Sequence, residues 1–382
     1  MDKSFNVNIV PEVLIWLRTR AGWEIEEVAK RLGTSVEVVK KIESGERNPT
    51  MKQLNTMSKI YKIPIASFFL SKPKQDNPMP KDYRFLPGKT NLFDRKTILV
   101  IRRARSLQNL SKELSFNIDY TTNMEVKNAN LTDNPELIAS KYRSIFKIDI
   151  EKQRKFRDAY NMMGYLREVL EDHNIMVFQF SMPIEDARGF ALSDQTPNTI
   201  VINSKDSIEA RLFTLMHEFG HIILGETVID IPGEPLQSRN NIETWCNEFS
   251  SAFLLPKEIS VDLFNKNRDN LTGTDTLNSL SRKYKVSKAV LLVKMLNLNY
   301  ISREEFESVL IRYSPRETGG NKRKNQSNGM KYDQKFLSEM GNKFVSLVAN
   351  NFDRELITYN DALSYLSIKS RNFDKIMSRA RK

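Results

Sequence analysis

The feature that most constrains this chain is a pair of histidines inside an apolar helix. Apolar residues recur at helical spacing between Ser207 and Gly225, and the glycine is a natural stop at the C-terminal end. His217 and His221 are four positions apart on this helix, so both imidazoles project from one face. Two imidazole nitrogens about one turn apart can bind a single metal ion. The spacing therefore predicts a metal site built on this helix.

Glu218 gives the same segment the chemistry of a hydrolase. Its carboxylate follows the first histidine directly and can point to a metal-bound water rather than to the metal. A carboxylate in that place can take the proton of the water during attack and deliver it to the leaving amine. Catalytic zinc usually has three protein ligands and one position open for water. We therefore expect Zn2+, or another divalent ion such as Mn2+, with Glu218 as the general base.

The third ligand must come from a later part of the chain. A helix predicted from about Asn241 to Leu254 carries two glutamates, Glu243 and Glu248. A carboxylate is a common third ligand of catalytic zinc, and a loop with Pro232 and Pro235 allows this helix to return antiparallel to the first. Spacing alone does not choose between the two glutamates, and both can instead be solvated residues on a helix face.

Two β-type runs precede the histidine helix. They are Arg188 to Leu192 and Thr199 to Asn203, and a turn-rich connection joins them. An edge strand beside a metal helix can bind the backbone of an extended peptide substrate. This role is assigned to Thr199, Ile200, Val201 and Ile202. The alternative is a hairpin that is purely structural.

The first 70 residues predict an all-helical domain of five short helices. The predicted helices are Pro11 to Ala21, Glu26 to Leu32, one that runs from the N-cap Ser35 to Glu43, Met51 to Tyr61, and Ile65 to Phe69. The second and third are joined by Gly33, Thr34 and Ser35. A three-residue turn of this kind is the signature of a helix-turn-helix.

The third of these helices lies in the DNA major groove when such a module binds DNA. Ser35, Lys40 and Lys41 are the candidate DNA-binding residues, since a lysine can contact phosphate or guanine. Glu37 has the wrong sign for the DNA backbone, and the helix has no Gln, Asn or Arg for a bidentate base contact. The alternative is a helix-turn-helix that serves dimerisation or docks a partner protein.

Composition divides the chain into three folded parts and two linkers. The linkers are predicted at 71–90, which is rich in proline, and at 314–330, which has little apolar content. They separate a helix-turn-helix domain at 1–70, a central domain at 91–313 and a helical segment at 331–382. The predicted fold class is α+β and multidomain, with an all-α domain, a mainly helical domain with a small sheet, and a short helical segment.

Charge and cysteine content bear on the partners of this protein. The formal net charge is +12, and from Arg316 to Lys382 there are 14 Lys/Arg against 7 Asp/Glu. This basic segment is either solvated or in contact with nucleic acid or an acidic partner, and its helices either dock a partner or fold back on the central domain. The single cysteine, Cys246, excludes an internal disulfide. Because no apolar window suits a membrane span or a signal peptide, we expect a cytoplasmic protein with no membrane contact.

Two known families share these motifs. Leu17, Arg20, Gly22, Val28, Ala29, Gly33, Val39, Ile42, Glu43, Gly45, Pro49, Thr50 and Leu54 form a pattern that resembles the XRE-type helix-turn-helix of phage-repressor proteins. The runs Thr199–Asn203, Arg211–His221 and Glu243–Pro256 resemble the ImmA/IrrE family of metallopeptidases, some members of which are fused to an XRE module. The second resemblance implies a zincin-like peptidase domain.

The ImmA/IrrE resemblance also implies a set of site residues. Carried over to this sequence, the metal ligands are His217, His221 and Glu243, with Glu243 as the third ligand. Cys246 and Ser250 stand where the family pattern usually has alanine, and neither change touches a ligand. Cys246 is accordingly expected to be a small core residue rather than a nucleophile.

These residues support two hypotheses about function. The first, which the resemblance implies, is a zinc endopeptidase that cleaves or controls a protein such as a helix-turn-helix repressor, in mobile-element or stress control. The second is a DNA-binding transcriptional regulator or antitoxin-like protein in which the metal site is structural or idle. Both allow a homodimer, and they are compatible, because a fused DNA-binding module can bring a peptidase to a DNA-bound substrate.

Overall fold

The structure of this protein is a computed structural model that describes residues 7–73, 93–120, 126, 128–225, 228–230, 241–313 and 331–381. They divide into two units, Met1–Arg102 and Arg103–Lys382, and the division falls within one long helix. Apart from residues 71–73, the two predicted linkers lie outside the described residues. Among the helices that the structure describes, none is long and apolar enough to cross a membrane.

The first unit contains the predicted helices. They are α1 (Pro11–Arg20), α2 (Ile25–Leu32), α3 (Val36–Glu43), α4 (Met51–Tyr61) and a 3-10 helix (Ile65–Phe69). The turn between α2 and α3 forms because Gly33 adopts a φ of +65° without strain and the Ser35 hydroxyl accepts a hydrogen bond from Val38 N. The predicted five-helix domain is confirmed.

Buried apolar side chains hold these helices together. Val13, Leu17, Val28, Val39, Leu54 and Phe68 are fully buried members of one core. A bidentate ion pair adds a polar link between α1 and α3, because the Arg18 guanidinium donates to the Glu43 carboxylate at 2.7 and 3.1 Å. This core and ion pair fix α3, the candidate DNA-binding helix, on the domain.

The rest of the described chain is mainly helical and contains one small sheet. Its elements are α5 (Arg95–Asn117), α6 (Pro135–Ile145), α7 (Ile150–Lys155), α8 (Ala159–Asp172), β1 (Ile175–Phe180), β2 (Gly189–Leu192), β3 (Asn198–Asn203), α9 (Ile208–Ile223), β4 (Val228–Asp230), α10 (Asn241–Leu254), α11 (Lys257–Lys266), a 3-10 helix (Arg268–Asn270), α12 (Thr274–Tyr284), α13 (Lys288–Asn297), α14 (Arg303–Tyr313), α15 (Tyr332–Met340), α16 (Asn342–Asp353), α17 (Tyr359–Leu366), a 3-10 helix (Ser370–Asn372) and α18 (Phe373–Ala380). The predicted α+β class is confirmed.

The sheet has four strands in the order β1-β3-β2-β4. Strand β3 pairs with β1 in parallel and with β2 in antiparallel register, and β2 pairs with β4 in antiparallel register. Ile200 and Ile202 of β3 belong to the same core as the inward residues of α8, α9 and α10. One face of the sheet therefore packs against the histidine helix α9, because alternate residues of a strand point to opposite faces.

The C-terminal helices pack in the second unit, against β1 and α8. On the sheet face away from Ile200, the Phe178 ring of β1 meets the Phe344 ring of α16 edge to face, with 5.8 Å between centroids. Buried polar groups fix the junction between α15 and α16. Arg167 donates to Ser338 O at 2.6 Å, and Lys343 N donates to the Glu171 carboxylate at 3.0 Å.

Several cations of the basic C-terminal segment form ion pairs within the segment itself. Lys375 and Arg379 of α18 both contact the buried Asp333 of α15, and Arg381 contacts Asp353 of α16. Exposed pairs contribute little stability, but a fully buried carboxylate requires such partners. Part of the local positive charge thus serves the packing of these helices.

Candidate metal centre

Helix α9 carries its polar motif through the middle of the core. The helix begins after Ser207, whose hydroxyl accepts a hydrogen bond from Ala210 N at 3.2 Å, and Gly225 follows its end with a φ of +72°. His217, Glu218 and His221 are all buried. Three polar side chains in adjacent turns of a buried helix are costly unless they have partners, which indicates a functional role.

Helix α10 brings Glu243 to the two histidines. Glu243 Oε2 lies 3.2 Å from His217 Nε2, and Glu243 Oε1 lies 3.3 Å from His221 Nε2. The two Nε2 atoms are 3.1 Å apart. Burial by itself would raise the pKa of Glu243, but hydrogen bonds from the two histidines hold it far below its ordinary value.

The donor set and its spacing fit a zinc ion. Two imidazole nitrogens and one carboxylate oxygen are a ligand set of catalytic zinc. Ligands at about 2.0–2.1 Å from a tetrahedral ion lie roughly 3.3–3.4 Å from each other. The two imidazole nitrogens are 3.1 Å apart, close to that value, and each of them has one oxygen of the Glu243 carboxylate within 3.3 Å. Among the described residues, His217, His221 and Glu243 form the one group of His, Cys, Asp or Glu that could hold a metal ion.

Glu248, the other candidate third ligand, lies elsewhere on α10. It is exposed and five residues from Glu243, whereas Glu243 is only 19% exposed. A helix turns about 100° per residue, so a step of five residues points the side chain to a different face. The structure therefore brings Glu243, and not Glu248, to the histidines.

Close packing of α9 against α10 makes this arrangement possible. A Cβ placed on Gly220 would lie 3.1 Å from the Cys246 sulfur, so the two helices touch at these residues. Around this contact, Phe219 and Phe249 pack with Tyr142 of α6, with ring centroids 5.0 and 6.3 Å from the tyrosine ring. Cys246 is buried in the core, where the sequence places it.

Two residues that were not predicted from the sequence hold the far end of α10. Arg143 donates to Phe253 O at 2.6 Å, and Gln153 donates to Leu254 O at 2.8 Å. The last carbonyls of a helix have no partner within it, so these side chains satisfy groups that would otherwise be buried without hydrogen bonds. The sequence shows Arg143 and Gln153 only as polar residues of amphipathic helices. It does not show that they are buried or that their partners are the carbonyl oxygens at the end of α10.

The Glu218 carboxylate lies beside strand β2. A Cβ on Gly189 of β2 would lie 3.2 Å from Glu218 Oε1 and 2.5 Å from a methyl carbon of Thr214. Only a glycine leaves room here for the carboxylate between helix and strand. Gly189 is thus a further residue of the site, and a glycine inside a predicted strand was the signal for it.

The peptide-binding role predicted for Thr199, Ile200, Val201 and Ile202 is wrong in its premise. Strand β3 is not an edge strand, since β1 and β2 pair with it on both sides. Its backbone groups are used within the sheet, and all four side chains are buried. The alternative, a structural hairpin, describes β2 and β3 correctly.

The candidate DNA-binding residues lie on the surface of the first unit. Ser35, Lys40 and Lys41 are all exposed, and Ser35 also caps α3. Glu37 is exposed on the same helix, and hydrogen bonds from its own backbone N–H and from Ser35 hold its pKa below the ordinary value. It is therefore a carboxylate at neutral pH.

Two segments of the chain match known sequence families. Residues 170–296 match the IrrE N-terminal-like domain (Peptidase_M78), and residues 14–68 match the helix-turn-helix (HTH_3). The resemblance to a peptidase of this kind behind an XRE-type module is confirmed. The peptidase match covers about a third of the chain and begins after α6 and α7. No curated protein matches the chain.

Proposed function

We propose that this protein is a zinc-dependent endopeptidase in which His217, His221 and Glu243 hold the ion. The main support is that the two Nε2 atoms lie 3.1 Å apart, and that each has an oxygen of the Glu243 carboxylate within 3.3 Å. A divalent ion held there, zinc or Mn2+, would polarise a peptide carbonyl and lower the pKa of a water molecule. Peptide hydrolysis requires both effects together with a base beside the ion.

Glu218 is the general base in this proposal. Its side chain lies off the face that carries the two histidines, because a step of one residue from His217 turns it by about 100° around α9. Its carboxylate accepts the proton of the attacking water and later donates it to the nitrogen of the leaving amine. The packing beside Gly189 restrains this side chain, so that it does not need to be ordered during the reaction.

The substrate in this proposal is a protein, such as a helix-turn-helix repressor. The helix-turn-helix at 14–68 supports this, because the same module can carry the peptidase to DNA where a repressor is bound, or pair with a related module. A homodimer through this module and a cytoplasmic location belong to the same proposal. The support for the cytoplasmic location is the DNA-associated substrate and the single, buried cysteine.

The test compares the parent with Glu218→Gln. Both proteins should retain about one zinc per chain. When each is expressed by itself in the same type of cell, only the parent should produce new N-termini among the proteins of that cell. Glu209→Gln, a carboxylate change in the first turn of the same helix, is the control and should cleave like the parent. Equal cleavage by Glu218→Gln would exclude the general-base role.

A second candidate is a DNA-binding regulator with an idle or structural metal site. The exposed Lys40 and Lys41 on the second helix of the helix-turn-helix favour it. This function requires a promoter whose binding depends on these lysines and no cleavage of any protein by the zinc-loaded parent. Both outcomes are measured on the same preparations as the cleavage test.

A further inference from the structure

The C-terminal helices repeat the local structure of the helix-turn-helix in the first unit. Helix α17, like α2, is eight residues long, and each begins with the same cap. The backbone N–H of Glu24 donates to the Glu27 carboxylate at 3.3 Å, and that of Thr358 donates to the Asp361 carboxylate at 2.9 Å. The two helices therefore start and end at equivalent positions.

The turn that follows each of these helices is also the same. Gly33 directly follows α2 with a φ of +65°, and Ser367 directly follows α17 with a φ of +53°. In both turns the next residue donates its N–H to the carbonyl oxygen five positions earlier, at 3.0 Å. The sequence does not show the second turn, because a serine takes the place of the glycine.

The helix after each turn buries the same positions. Val39 and Ile42 of α3 are in the core of the first unit, and Phe373 and Ile376 of α18 are buried at the same distances from the turn. The 3-10 helix Ser370–Asn372 directly precedes α18. Helix α16 packs against both α17 and α18, as α1 and α2 pack against α3. Three helices joined in this way form the core of a helix-turn-helix.

The outward side of the helix after the second turn is mainly basic. The charged residues from 369 to 378 are all exposed, and they are Lys369, Arg371, Asp374 and Lys375. Lys375 contacts Asp333 of α15, so part of its charge is used in packing. Within the part of the chain that the structure describes, Lys369 and Arg371 form no ion pair. These two cations are available to an anionic ligand.

Arg371 makes this module better suited to DNA than the first one. It lies as far after Ser367 as Glu37 lies after Gly33, so a cation replaces the carboxylate that opposes the DNA backbone in α3. An arginine binds phosphate, or guanine with two hydrogen bonds. The second helix of such a motif lies in the major groove of B-DNA, whereas the major groove of an RNA duplex is too narrow for side chains to read. The arrangement therefore favours duplex DNA.

We infer that α16, α17 and α18 form a second helix-turn-helix, which binds duplex DNA through Lys369 and Arg371. The inference does not depend on the metal centre or on DNA binding by α3. It divides the basic residues of this segment by role, since Lys375 and Arg379 hold α18 against Asp333 while Lys369 and Arg371 contact phosphate.

The test measures binding of the full-length protein to a mixed-sequence DNA duplex by fluorescence anisotropy at several salt concentrations. Each lost phosphate contact reduces the slope of log affinity against log salt by about 0.9, so Lys369→Ala/Arg371→Ala should reduce it by about 2. The reduction should be the same when Lys40 and Lys41 are already alanine, because those lysines belong to the other module.

Asp374→Asn should change binding in the opposite direction and raise the affinity at low salt, since it removes the one exposed carboxylate at 369–378. A gain of affinity cannot result from a folding defect. This variant therefore keeps the test decisive if Lys369→Ala/Arg371→Ala is poorly folded.

Lys257→Ala/Arg268→Ala is the matched control, because it removes the same two charges at exposed positions of α11 and the 3-10 helix that follows. It should bind DNA like the parent. An RNA duplex of the same sequence should bind more weakly and should not respond to Lys369→Ala/Arg371→Ala. If that variant changes the DNA slope no more than the control does, or loses as much affinity for the RNA duplex as for DNA, the second DNA-binding module is excluded.

Discussion

Gly220 of α9 and Cys246 of α10 lie in direct contact, and a Cβ on residue 220 would come within 3.1 Å of the cysteine sulfur. His217 and His221 flank this glycine on one helix, and Glu243 lies one turn before the cysteine on the other. The distance between the helix axes at this point therefore sets the distance between the imidazoles and the carboxylate. The metal site and the helix contact are one structural unit.

Gly220→Ala should weaken zinc binding and lower the free energy of unfolding. Overpacking costs about 1–3 kcal/mol. Against this, alanine gains about 1 kcal/mol over glycine inside a helix. Adding Cys246→Ala removes the sulfur. The Cβ of residue 246 then lies 3.4 Å from the new Cβ of residue 220, an ordinary contact, so the double variant should recover zinc affinity. A double-mutant cycle of zinc affinity and unfolding measures this, and additive effects would contradict the contact.

Gly164→Ala is the control for helix propensity in the same unit. Nothing lies within 4 Å of a Cβ added there, and the residue is exposed on α8. The substitution should stabilise the protein by up to about 1 kcal/mol and leave zinc affinity unchanged.

Glu243→Ala should abolish tight zinc binding, whereas Glu248→Ala should not. The first substitution removes one of three ligands and takes the carboxylate away from two buried imidazoles. Glu248 is exposed, so its substitution should change neither zinc content nor the melting temperature by a measurable amount. Metal analysis of the two purified variants decides this, and equal zinc content in both would contradict the assignment of Glu243.

Much of the helical structure around the site was predictable from the sequence. Helix α10 has the predicted bounds, and α9 ends within two residues of its predicted end, because their apolar residues recur with the period of a helix and Ser207 and Gly225 mark the ends. The choice between Glu243 and Glu248 was not available from spacing. It depends on the contact between Gly220 and Cys246, which no periodicity encodes.

The place of β3 in the sheet could not be predicted in the same way. Its parallel partner β1, Ile175–Phe180, is buried on both faces and so lacks the alternation of a half-buried strand. A hairpin of β2 and β3 considered without β1 has a free edge at β3. The peptide-binding role predicted for Thr199 to Ile202 depended on that free edge. The pairing between distant segments, rather than any local pattern, decides which strand is an edge.

Gly189→Ala should reduce cleavage while zinc is retained. The added Cβ would lie 2.9 Å from Val201 O and 3.2 Å from Glu218 Oε1, so the carboxylate must move. Misplacing a catalytic group by about 1 Å can cost on the order of 100-fold in rate. Ala191→Gly changes the same strand on the same face and serves as the control for strand stability. Undiminished kcat/KM in Gly189→Ala would show that the position of Glu218 is not restrained by β2.

Zinc affinity should fall steeply on the acid side of neutrality. Both histidines must be neutral to bind the ion, and an unperturbed imidazole has a pKa of about 6.5. The pKa of Glu243 is depressed, so its carboxylate stays ionised as the pH falls, until the pH passes through that low value. Acid release of zinc then follows from competition between protons and zinc at the two imidazole nitrogens, which lowers the affinity by up to about 100-fold per pH unit. Competition with a chromophoric chelator between pH 5 and 8 measures the slope, and a flat profile would contradict binding through both imidazoles.

The charges on α3 allow a paired test of DNA binding by the full-length protein. Removing one lysine–phosphate interaction reduces the slope of log affinity against log salt by about 0.9, so Lys40→Ala/Lys41→Ala should reduce it by about 2 on a mixed-sequence duplex. Glu37→Gln should act in the opposite direction and strengthen binding, because it removes an exposed negative charge from the same helix. Fluorescence anisotropy at several salt concentrations measures both effects. If the lysine variant and Glu37→Gln bind like the parent, α3 does not face the DNA backbone, and the helix-turn-helix serves dimerisation or a protein partner instead.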